Sequence, residues 1–148
     1  MANPNRVGAE TQDGFGGKRI AYITRPFSLG ATGNAVVALP ILGGGTGGTT
    51  EFIIRQITVY NLSNSAGGSA PSAATANVTV GTTSDGANLV ANTTTLTNLT
   101  NATSFVDLTL NTDTAKTLYT ANTLFVNVTA NVANAQAFIS VYGDVVTF

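Results

Sequence analysis

The sequence predicts an all-β fold: one antiparallel β-sandwich, jelly-roll-like, over residues 20–148, preceded by an extended N-terminal arm over residues 1–19. Three observations predict it. Short apolar runs alternate with polar residues at period two, turn signals separate the runs, and no stretch shows the periodicity of an amphipathic helix of ordinary length. About eight such strands with two long loops suit a sandwich or a related barrel, with the jelly roll as the specific choice.

The arm (MANPNRVGAETQDGFGGKR) has Asn-Pro, Asp-Gly and Gly-Gly breakers and no sustained apolar pattern, so it is expected to lie outside the core and to be dispensable for folding. It carries Arg6, Lys18 and Arg19, with Arg25 just beyond it. Such a segment reads either as a solvated terminus or as a tether that orders on a partner, with Phe15 as its apolar anchor. Ile20–Phe27 and Asn34–Leu42 are the first strands. Pro26 and Pro40 cannot donate to a ladder and must lie at a strand end, an edge or a bulge. Gly43–Thr50 is a glycine-rich loop; no Lys follows it and a strand comes next, which excludes a phosphate-binding loop.

Glu51–Leu62 is apolar on both parities, with Ile53, Ile57 and Val59 on one and Phe52, Ile54, Tyr60 and Leu62 on the other. Either a bulge switches the facing or another subunit or sheet covers the second face, and a covering subunit makes Phe52, Ile54 and Tyr60 candidate oligomer-interface residues. Arg55 reads as an edge residue with its stem packed and its head in solvent. After the loop Ser63–Ala74, Thr75–Gly81 turns Ala76, Val78 and Val80 inward, and Asp85-Gly86 marks a turn. Asn88–Ala91 is a short strand and Asn92–Thr103 a Thr/Asn-rich loop holding Leu96 and Leu99. Ser104–Leu110 resumes the alternation, Asn111–Thr114 turns, and Lys116–Tyr119 is a short extended piece. The last two runs, Asn122–Ala130 and Ala135–Val146, alternate most clearly, through Leu124, Val126 and Val128 and then Ala137, Ile139 and Val141. The short stretch between them predicts a central hairpin.

A length of 148 residues suits a single domain. Only 9% of residues are charged against 43% hydrophobic, so outward strand faces are expected to be neutral and polar, as in Asn77-Val78-Thr79 and Asn127-Val128-Thr129. A net charge of −1 leaves little self-repulsion between copies and offers no basic surface, which favours an assembly subunit and argues against a nucleic-acid partner. The absence of Cys and His removes disulfides, thiol chemistry, the usual proton shuttle and the commonest metal ligands. Asp107 and Asp144 are the pair of carboxylates a glycosidase reading would use, yet both read as outward strand or turn residues. Asp85 alone is not a calcium site. No catalytic, cofactor or metal residue is nominated, and the chain is expected not to be an enzyme. Asn-x-Thr triplets at Asn77, Asn92, Asn98, Asn101 and Asn127, with Asn61-Leu62-Ser63, follow from composition. No apolar run approaches the ~20 residues of a membrane helix, and the start lacks a signal-peptide pattern. These features point to a soluble chain made in a cytoplasm, with no membrane partner.

Over the last two thirds of the chain, the runs IRQITVYNLSN, ANVTVGTTSDGANLVANTTTL, SFVDLTLNT, LYTANTLFVNVTA and AFISVYGDVV form a strand-and-turn pattern. It resembles the small head-decoration, or cement, proteins of tailed bacteriophages. The resemblance implies a jelly-roll-like domain, homotrimeric, bound to the major capsid protein on the capsid exterior of the virion and holding the shell against the pressure of packaged DNA. It also implies a terminal arm reaching over the lattice, a role that Arg6, Phe15, Lys18 and Arg19 fit by character. The alternative is a carbohydrate- or receptor-binding sandwich module of a phage tail or surface appendage, with Tyr22, Tyr60, Tyr119 and Tyr142 as a stacking platform.

Overall fold

Alternating Val, Ile, Thr and aromatic residues favour the pleated backbone. In the computed structural model, which describes residues 12–13, 17–31, 33–40, 50–84, 86–121 and 123–146, they form an all-β chain. The strands are β1 (Gln12–Asp13), β2 (Gly17–Tyr22), β3 (Phe27–Ser28), β4 (Gly33–Pro40), β5 (Thr50–Asn64) and β6 (Asn77–Gly81). They continue with β7 (Val90–Thr95), β8 (Phe105–Asp107), β9 (Tyr119–Ala121), β10 (Thr123–Ala130) and β11 (Ala135–Val146). A single 3-10 turn, Thr114–Lys116, is the only helical element among the described residues. Pro26 lies between β2 and β3 and Pro40 ends β4, as their missing donors require.

Among the described residues all pairings are antiparallel and form two sheets. A seven-stranded sheet runs β1-β2-β11-β5-β8, with β3 also on β11 and β9 also on β5; a four-stranded sheet runs β4-β10-β6-β7. One hydrophobic core draws on both, with Ala21, Phe52, Ile57, Val59, Ile139 and Val141 from the first and Val78, Val80, Leu124, Val126 and Val128 from the second.

The expected hairpin between β10 and β11 does not form. β10 pairs with β4 and β6, and β11 pairs with β2, β3 and β5, so the two runs belong to different sheets. The stretch between them is tied instead to Leu29: Val132 N donates to Leu29 O (2.9 Å) and Leu29 N donates to Ala135 O (2.8 Å). Alternation reports which face of a strand is buried, and both strands bury theirs in the same core whichever sheet they join.

The two-sided strand is explained by two bulges. Against β11, Tyr142 pairs with Gln56 and Gly143 with Ile54, which leaves Arg55 as an extra residue. Farther along, Phe138 pairs with Tyr60 and Gln136 with Ser63, and Asn61 takes φ 55° at this second irregularity. The buried positions accordingly shift from Phe52 and Ile54 to Ile57 and Val59, and then to Leu62.

Other boundaries move too. β2 begins at Gly17, with Lys18 opposite Gly143 and Arg19 opposite Tyr142, while Gln12–Asp13 pairs with Gly17–Lys18. The end of the predicted arm is thus part of the sheet. β7 takes in residues assigned to a loop, because β6 offers its free edge to Thr94 and Thr95 and Thr tolerates a strand well. Thr79 and Asn127, expected on a solvated face, lie opposite each other and are buried. The glycine-rich loop over residues 43–49 lies outside the described residues.

Gly143 faces the bulge, and a Cβ there would overlap the Ile53 carbonyl oxygen. Gly143→Ala should lower stability by about 1–3 kcal/mol, the usual cost of overpacking, measured by urea denaturation. Val126→Asp, which buries an unpaired charge, should abolish the cooperative transition. An unchanged midpoint for Gly143→Ala would contradict the close approach of Gly143 to Ile53, and one for Val126→Asp would contradict the burial of Val126 in the core.

Candidate functional site

Because cross-strand partners share a face, the register defines what the seven-stranded sheet presents away from the core. Ala21, Ile57, Val59, Ile139 and Val141 point inward. The alternate positions point outward in rows. Phe138, Tyr60 and Phe105 form one row across β11, β5 and β8. Tyr22, Ser140, Thr58 and Asp107 form the next, from β2 to β8. Arg19, Tyr142 and Gln56 form a third.

Two rings of the aromatic row are in contact. Tyr60 and Phe138 stack with ring centroids 5.9 Å apart and planes 26° from parallel. Phe105 extends the row at the sheet edge and is 62% exposed, the most exposed large apolar side chain among the described residues. Ser140, only 1% exposed on this outward parity, donates its hydroxyl to the Tyr60 hydroxyl oxygen at 3.2 Å. Beside the row, Asp107 Oδ1 accepts from Thr58 Oγ1 at 2.6 Å and from Gln56 Nε2 at 2.8 Å. At the far corner the Arg19 guanidinium lies 4.3 Å from the Tyr22 ring centroid, a cation–π contact.

The candidate residues from the sequence divide. Phe52 and Ile54 are completely buried in the core, Phe52 stacked on Tyr119 at 5.9 Å, so neither is available to an oligomer interface. The bulge at Arg55, not a second subunit, accounts for the apolar residues on both parities. Tyr60 does reach the surface. Of the predicted arm contacts, Arg19 is exposed on the outward face of β2, Lys18 lies in the same strand, and Arg6 and Phe15 fall outside the described residues. Tyr22, Tyr60 and Tyr142 share the outward face, whereas Tyr119 packs against the core. Phe105 and Phe138 join this face beyond the residues the sequence singles out, and the signal for each is a large aromatic on the outward parity of an alternating run.

The carboxylates do not form a pair. Asp144 is held by Arg55 Nε at 2.9 Å, and Arg55 Nη1 also donates to the Ala115 carbonyl at 3.2 Å, so this arginine ties the bulge to the 3-10 turn instead of ending free in solvent. Asp107 lies opposite Thr58 and Asp144 opposite Ile53. That separation is about 15 Å at ~3.4 Å per residue, beyond the spacing of paired glycosidase carboxylates. Among the described residues no group of acidic side chains could hold a metal ion, and no helix is long and apolar enough to cross a membrane.

The buried Ser140 hydroxyl makes the Tyr60 bond testable. Tyr60→Phe should cost about 1–3 kcal/mol by leaving that hydroxyl unsatisfied, and adding Ser140→Ala should recover part of the loss. Strictly additive losses in a double-mutant cycle would show that the two hydroxyls do not interact.

Comparison with family models, curated proteins and solved structures finds no match to this chain.

Proposed function

We propose that this chain is a structural virion protein that binds the outer surface of a phage capsid as a homotrimer and cements the shell, with the major capsid protein as its partner. The observation that carries the reading is the strand order. One sheet runs β2-β11-β5-β8 and the other β4-β10-β6-β7, and the chain passes back and forth between them, which supports two interlocked Greek keys, a jelly-roll sandwich. That is the architecture implied by the resemblance to phage decoration proteins.

Two features support attachment through surfaces. β1 is the outermost strand of its sheet, so its free edge can meet a neighbour without opening the core. The near-neutral chain opposes self-association only weakly. On a lattice, many copies add avidity even when each contact is weak.

The test is co-sedimentation of the purified chain with preformed expanded capsids, alongside light scattering. Trimers that pellet with shells are expected. A strict monomer at all concentrations would reject the trimer, and failure to pellet would reject the cement reading. Removing residues 1–11 should leave the thermal transition intact while weakening attachment. Removing residues 1–19 should also destabilise the fold, because it strips Lys18 and Arg19 from Gly143 and Tyr142.

A further inference from the structure

We draw no further inference here: the strongest candidate, the outward face of the seven-stranded sheet where Tyr60 stacks on Phe138 and Phe105 stands exposed at the edge, is an open surface, and nothing in the structure shows what covers it.

Discussion

The long antiparallel ladder between β5 and β11 is the constraint on which the rest of the molecule depends. It runs from Ala135 opposite Asn64 to Val146 opposite Glu51, and every other strand of the larger sheet except β1 pairs directly with one of the two. The ladder is not uniform. The extra residue at Arg55 and the left-handed Asn61 each reverse the facing of β5, so that Phe52 and Ile54, Ile57 and Val59, and Leu62 all enter one core. A regular strand would turn Phe52 and Ile54 into water whenever Ile57 and Val59 were buried. The close approach at Gly143, where no Cβ fits beside Ile53, is what the first bulge requires of the opposite strand.

The same irregularities bound the outward face. Between them, Gln56, Thr58 and Tyr60 point outward together and meet Tyr142, Ser140 and Phe138 across the ladder. At one end Arg55 turns its head to Asp144 and the Ala115 carbonyl, fixing the bulge to the 3-10 turn. At the other end Asn61 breaks the pattern. Stability and surface chemistry share these residues: an aromatic cross-strand pair such as Tyr60 and Phe138 contributes roughly 0.5–1.5 kcal/mol beyond area burial and also lies on the outward face.

Local alternation was a good guide to faces and a poor guide to neighbours. The inward positions Val78, Val80, Leu124, Val126, Val128, Ile139 and Val141 were legible because a strand with one buried side must repeat at period two. The placement of β10 and β11 in different sheets is not legible in the sequence, since two runs joined by four residues look alike whether they fold back in one sheet or pass between two. The strand β7 was hidden in a Thr/Asn-rich stretch whose composition resembles a loop, and only the edge of β6 makes it a strand. For the site, Tyr60 could be found from its residue type, while the cluster of Gln56, Thr58 and Asp107 joins residues about fifty positions apart in sequence and needs the β5–β8 pairing to exist.

What the sequence determined by itself is the all-β class, the alternating core positions and the chemistry withheld by the lack of Cys and His, because each depends on residue type and short-range period alone. Tertiary structure decided the strand order, the placement of the bulges on β5 and the gathering of Phe138, Tyr60 and Phe105 on one face. These depend on which strands exchange hydrogen bonds across long sequence separations, and a one-residue shift in that exchange sends a side chain to the opposite face of the sheet.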